Sequence, residues 1–305
     1  MTTTARRRRT GTAVLAVAAA LVAVCASACG TSQPTAKTAG SNVKPTLDRS
    51  LNSLLPAAVR DAGVLRVGTD ASYAPMSFFG PDGRTIVGME PDLGYAIGQV
   101  LGVRLEFIRT DFTDILPEVQ NGQLDVGMSA MTDTAEREKQ VDFVNYLSAG
   151  TSIVVQRGNP SGVTDLKDLC GKKVALEKGT IQVDLVKRSQ RSCGGVPIVL
   201  STYATNSDAL VQLRTGRAVA VLNDFAPAAY LTTDARTKAH YQLASTNQYE
   251  PGQYGMAVNK NQPAIRDAIA GALDALNRNG SYLGVLDHWG VAGGAMDDVT
   301  VNSGR

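Results

Sequence analysis

Hydrophobic positions repeat with two alternating periods along the chain. Residues 65–69 (Leu-Arg-Val-Gly-Thr) and 103–108 alternate apolar with polar, as half-buried strands do, and residues 124–128 read as a third strand. Between and after them, residues 90–101 and 112–120 carry apolar side chains at helical spacing, and the charged run 135–140 predicts a short helix. The order returns with strands at 173–177, 198–203 and 218–222, separated by helices at 181–191, 206–215 and 227–231. Residues 254–259 predict a further strand, 263–277 a helix stopped by Asn279-Gly280, and 282–289 a last helix. Strands alternating with helices predict an α/β protein with parallel sheets, whose ligands bind outside the carboxyl ends of the strands.

The amino-terminal end departs from this pattern. Residues 6–9 are four arginines, 13–24 an apolar run, and Ala26-Ser27-Ala28 supplies small residues before Cys29, the layout of a secretory signal. The run is shorter than the roughly 20 residues of a permanent membrane span, so residues 1–28 are expected to be removed. Cys29 stands where a bacterial lipoprotein signal places the cysteine that receives diacylglycerol, and Ala26-Ser27-Ala28-Cys29-Gly30 resembles that lipobox, with Ala26 for the usual leucine. The alternative is an ordinary secreted protein cut nearby. Residues 29–61 then read as a lipid-anchored tether, rich in Thr, Ser, Gly, Ala, Pro and Lys as far as Ser50, with folding expected to start near Leu54.

Export changes how the four cysteines are read. One leaves with the signal and one is acylated, leaving Cys170 and Cys193 to form a disulfide or to remain as two buried thiols. A bridge over so short a loop stabilises by about 3 kcal/mol in the chain-entropy model. The formal charge of +2 becomes −2 once the four signal arginines are gone, since residues 1–28 hold no acid. No basic field remains to attract nucleic acid.

Chemistry is then sought after each strand. The first ends in Thr69-Asp70-Ala71-Ser72-Tyr73, a carboxylate and an aromatic that can flank a small polar ligand, although either alone is as well a turn residue and a packing residue. Phe112 follows the second strand, as a ligand contact or a core ring. The third runs into Met128-Ser129-Ala130-Met131-Thr132 and on to Arg137, a small-residue loop before an arginine whose planar fork of donors matches a carboxylate; alternatively Arg137 is one solvated charge in Glu136-Arg137-Glu138-Lys139. Gly179-Thr180-Ile181-Gln182 opens a helix whose free N–H groups favour an anion. Asp224 either receives an ammonium or caps the helix at Pro227. One arginine, one helix terminus and one separated aspartate together suit the two charges of a zwitterion.

These segments resemble the polar amino-acid-binding proteins of ABC transporters, solute-binding protein family 3. The resemblance covers about residues 63–291 and rests on Leu65 to Pro75, Val87-Gly-Met-Glu-Pro-Asp-Leu, Leu124 to Thr132 with Glu136-Arg137, Asp142-Phe143, Gly179-Thr180, Gly216-Arg217, Asn223-Asp224, Tyr254-Gly-Met-Ala-Val, Asn279-Gly-Ser-Tyr and His288-Trp289-Gly290. It implies the type II periplasmic-binding-protein fold, two α/β lobes joined by two hinge strands: residues 62–149 and 253–295 in lobe one, 150–252 in lobe two with the hinge. It also implies roles. Arg137, with Thr132 and the backbone of Thr180 and Ile181, would hold the α-carboxylate, and Ser129 would be among the ligand contacts. Asp224 and the Ala130 carbonyl would take the α-ammonium, Tyr73 and Phe112 would sandwich the ligand, and Asp70 and Gln182 would face its side chain. Val219 stands where the family usually has aspartate, and Met76 and Met89 where phenylalanine is common.

The expected function is therefore capture of a free polar or basic amino acid for an ABC permease, by a membrane-tethered monomer without cofactor or metal. A cyclohexadienyl-dehydratase-like enzyme and a ligand-sensing subunit share the fold. The enzyme needs an acid or base in the cleft, for which Asp70 or Asp224 would have to serve. The sequence holds no Gly-x-Ser-x-Gly elbow, no glycine-rich phosphate loop, no paired metal-ligand spacing and two histidines, His240 and His288.

Overall fold

Folding begins before the point that composition suggested. The computed structural model describes residues 45–304; the expected signal, Cys29 and about half of the expected tether lie outside the described residues. Leu47, Leu51 and Leu55 recur at a spacing of four in a polar stretch. They carry helices α1 (Arg49–Leu54) and α2 (Ala57–Ala62), with the Asp48 carboxylate accepting from the amides of Ser50 (2.9 Å) and Leu51 (3.2 Å). Leu55 is fully buried, and the Leu47 and Leu51 side chains occupy space left open by Gly102 and Gly271.

The first half is built on β1 (Val64–Thr69), whose Leu65 and Val67 are fully buried. A small antiparallel sheet follows, β2 (Ser72–Tyr73), β3 (Ser77–Phe79) and β4 (Ile86–Val87), then α3 (Met89–Leu101) crosses over to β5 (Arg104–Arg109), parallel to β1. Gly94 and Gly98 disfavour a helix interior, yet a Cβ at Gly94 would lie 2.7 Å from the Phe107 ring and one at Gly98 2.5 Å from the Val103 carbonyl oxygen. Close packing of helix on sheet thus requires both glycines. The chain continues through α4 (Ile115–Gln120) to β6 (Val126–Gly127), parallel to β1 on its other side.

The expectation of parallel sheets holds for β5, β1 and β6, but not for the small β2–β4 sheet nor where the two long joining strands meet either half. β7 (Asp142–Gln156) runs for 15 residues through both halves, and no periodicity marked it, because it is buried on both faces and holds Ser148-Ala149-Gly150 at its middle. The second half adds β8 (Lys173–Glu177), α5 (Ile181–Ser189), β9 (Val199–Tyr203), α6 (Asn206–Arg214), β10 (Ala220–Asp224), α7 (Phe225–Thr233) and β11 (Tyr241–Leu243). β12 (Tyr249–Val258) returns antiparallel to β7, and α8 (Pro263–Arg278) and α9 (Ser281–His288) close over the first half. The resulting order is β5-β1-β6-β12-β7-β10-β8-β9. β8, β9 and β10 are parallel, whereas β7 meets β10 and β12 antiparallel. Separate apolar clusters fill the two halves. These are two α/β lobes joined by two long strands, the fold of type II periplasmic binding proteins.

Cys170 and Cys193 are bonded, with Cα atoms 5.3 Å apart, and tie the turn before β8 to the turn after α5. Cys170→Ser together with Cys193→Ser should lower unfolding stability by about 3 kcal/mol in urea titrations. An unchanged midpoint would show the loop to be held as firmly by its neighbours.

Candidate functional site

A cleft with about 460 Å3 of empty space, its mouth included, lies between the lobes, and every ligand-contact residue expected from the sequence lines it. From the first lobe come Asp70, Tyr73, Phe112, Ser129, Ala130, Thr132 and Arg137; from the second, Thr180, Ile181, Gln182 and Asp224. Glu177, Asn206, Leu222 and Asn223 complete the wall.

One helix boundary and one strand boundary differ from expectation in ways that matter here. Phe112 precedes α4 in a turn closed by the Asp114 amide on the Asp111 carbonyl (2.8 Å), so its ring turns to the cleft. β10 extends to Asp224, and this buried carboxylate makes no side-chain cap on α7. The run expected as a helix at 135–140 is a single 3-10 turn, Arg137–Lys139.

Arg137 is half-buried and paired, not a free surface charge. Its guanidinium donates to the carbonyl oxygens of Thr132 (2.6 Å) and, across the cleft, Gly179 (3.0 Å), and stands 5.6 Å from the centre of the Phe112 ring. Desolvation lowers it to about 10, which leaves it charged at neutral pH. Beside it Thr180 begins α5 with its hydroxyl donating to the Glu177 carbonyl (2.9 Å), so it caps none of the helix's own amides.

Asp224 is the second fixed point. Tyr73 donates its hydroxyl to Oδ2 (2.9 Å) and accepts from the Asp224 amide (2.8 Å), again across the cleft. Gln182 donates to Oδ1 (3.0 Å) and to Thr151 (3.2 Å), so its amide supports Asp224. Burial raises Asp224 to about 6 against the opposing hydrogen bond of Tyr73 and the charge of Arg137.

Beneath the Ser129-Ala130 loop lies Glu90, a fully buried acid on an apolar face of α3. Its carboxylate accepts from Ser77, from Tyr146 and from the amide of Ala130, which sits in the left-handed region at φ +45. Sequence reading passed over it; an acid at a buried helical position, in Met89-Glu90-Pro91, was the available signal. Ser129 Oγ in turn accepts from the Asp70 amide (2.9 Å), and Asp70 accepts from the Ser72 amide (2.9 Å).

Glu177 was also missed, although it ends β8 as Asp70 follows β1. It is buried, and its Oε1 has no hydrogen-bond partner. Burial first, then the negative charges of Asp70 and Asp111, raise it to about 9. The charges that act on Arg137 are instead Asp184, Asp224 and Asp133. The cleft thus offers one cation, one central carboxylate and a separate acidic corner.

That arrangement defines a two-lobed binding protein for a small zwitterion. Residues 65–292 match the bacterial extracellular solute-binding proteins, family 3. Arginine-binding protein ArgT of Corynebacterium glutamicum is 30% identical over 83% of this chain and 82% of its own length. An ancestral arginine-binding protein, solved bound to glutamine and bound to arginine, is 36% and 35% identical, with a TM-score of 0.68 in both structures, over 75% and 74% of this chain and 98% of that one. The ancestral amino acid-binding protein AncCDT-1, a precursor of cyclohexadienyl dehydratase, is 31% identical with a TM-score of 0.68, over 78% and 99%. The chain belongs to the bacterial extracellular solute-binding proteins, family 3, and serves as the amino-acid-binding protein of an ABC importer.

A carboxyl raised in the folded chain keeps its proton at pH values where the unfolded chain has lost it. Its contribution therefore fades as pH climbs from the ordinary glutamate range through about 9. Glu177→Gln removes this dependence. Without ligand, the variant's stability advantage should grow between pH 5 and 9, by at most about 1.4 kcal/mol per pH unit. Parallel curves in urea denaturation would show that Glu177 is ionised throughout.

Proposed function

We propose that the cleft takes a free L-amino acid with a cationic side chain, arginine, ornithine or lysine, and delivers it to its permease. The observation that carries this is the buried, unpartnered Glu177 oxygen beside Asp70 and Asp111. Arg109 pairs with Asp111 (2.7 Å), but Glu177 Oε1 has no partner, and a buried acid in that position is costly alone and is completed by a guanidinium or ammonium, while an acidic side chain would add to it. The ligand carboxylate goes to Arg137, with Thr132 and the amides of Thr180 and Ile181. Its ammonium goes to Asp224 and the Ala130 carbonyl. The rings of Tyr73 and Phe112 flank it, and Glu177 joins Asp70 around its side chain while Gln182 holds Asp224.

One observation favours a second reading: a carboxyl protonated at neutral pH, like Glu177, is suited to general-acid catalysis on this fold. Prephenate, however, would bring a second carboxylate towards Asp70, so binding is the better account. The same proposal tethers a monomer to the membrane through acylated Cys29, and Cys29→Ala should release it from the membrane fraction.

A thermal-shift screen of the mature chain against the common amino acids, ornithine and prephenate tests the reading. A cationic amino acid at a hundred times its dissociation constant should stabilise by about 2.7 kcal/mol. Arg137→Ala should weaken it about hundredfold or more, leaving a desolvated carboxylate unpaired. Calorimetry at pH 7 in two buffers should show a proton released as arginine binds, and none released by Glu177→Gln. Stabilisation by glutamate in preference to arginine would overturn the cationic assignment. Prephenate turnover without any amino-acid shift would install the enzyme.

A further inference from the structure

The segment after α9 does more than end the fold. Thr300 and Asn302 lie along the edge of β7 that β12 leaves open: the Asn145 amide donates to the Thr300 carbonyl (2.9 Å) and the Asn302 amide to the Phe143 carbonyl (3.1 Å), with Val301 bridged to Val144. The Asn302 side chain fastens this register, accepting from the Phe143 amide (2.8 Å) and donating to Asp142 (3.0 Å). The chain then crosses the loop that carries Arg137. The Ser303 amide donates to Asp133 Oδ2 (2.8 Å), an oxygen that also accepts from Asn145 (3.0 Å), and the Gly304 amide donates to Glu138 Oε1 (2.6 Å). Gly304 passes so near that a Cβ would lie 2.6 Å from the Thr134 carbonyl carbon.

Asp133 and Glu138 bracket Arg137, and the arch between them has few other supports: the Asp133 amide on the Gln253 carbonyl (2.8 Å), Thr132 bridged to Tyr254, and internal contacts such as the Arg137 amide on Thr134 Oγ1 (3.3 Å). We propose that residues Thr300–Gly304 are a clasp that positions Arg137 for the ligand carboxylate, joining the arch at both ends to a joining strand. This rests on the assignment of Arg137 to that carboxylate. The clasp keeps the guanidinium at the mouth of α5 when no ligand is present, so binding need not order the arch.

The test compares the mature chain with a version ending at Val299, and with Glu138→Ala and Glu138→Gln in the complete chain. Calorimetry with L-arginine should show at least tenfold weaker binding for the shortened chain. Agmatine, which lacks the carboxylate, should lose less than threefold. Glu138→Ala should follow the shortened chain in part, and Glu138→Gln, which keeps an acceptor for the Gly304 amide, should recover wild-type affinity. Hydrogen exchange of residues 133–139 without ligand should quicken when the clasp is cut. Equal arginine affinity, or equal losses for arginine and agmatine, would reduce the segment to a structural edge strand. Should the shortened chain not fold, the Glu138 pair decides alone. If the wild type binds no arginine, the cationic reading fails separately, and exchange at the arch still decides whether the clasp exists.

Discussion

Charge removed from water must be matched, and in this cleft the protein matches only part of it. Arg137 borrows two carbonyl oxygens and Asp224 two side-chain donors, while Glu177 Oε1 has none. Several of those contacts join residues on opposite sides of the cleft, Arg137 to Gly179 and Tyr73 to Asp224, with the Asn206 amide on Ser72 Oγ (3.2 Å) as a third. The contacts across the cleft therefore set weak partners on strong charges. A zwitterion supplies better ones from within, so its binding energy goes largely to the closed state, as population shift requires.

The joining strands form the floor of that arrangement as well as its hinge. Tyr146 on β7 and Tyr254 on β12 are fully buried with ring centres 6.2 Å apart. Tyr146 donates to Glu90, which fixes the Ala130 amide, while the Tyr254 hydroxyl, buried without a hydrogen-bond partner, lies within reach of the Asp224 charge. Backbone geometry under one part of the cleft and the charge state at another thus share a single polar layer. A change in the relative position of β7 and β12 would reach both.

Much of this was legible in the sequence because the chemistry sits at strand ends. β8 and α3 fall within a residue of their expected bounds, and Asp70, Arg137 and Asp224 were found by looking after each strand. Failures share a cause: signals that depend on what lies across the fold. β7 has no alternation since it is covered on both faces, and α1 draws its apolar contacts from α3 and α8, not from its own composition. Glu90 and Glu177 are acids whose role comes from burial; one stands at a buried helical position and the other at a strand end, signals that were passed over because each is also met at a surface. Tyr73 was read for its ring alone, and the reach of its hydroxyl to Asp224, 151 positions away, was not foreseen.

Specificity follows from how the charges are divided. In the proposed binding mode Arg137 and Asp224 read groups common to every amino acid, so they set affinity but not preference. Preference falls to the corner of Asp70 and Glu177, and there the proton counts as much as the shape. While Glu177 holds its proton, it can donate to a neutral side-chain carbonyl; once it gives the proton up, it faces a guanidinium or ammonium as a full charge. One wall can thus accept an uncharged and a cationic side chain by changing protonation in place of conformation. The difference between the two affinities becomes a function of pH.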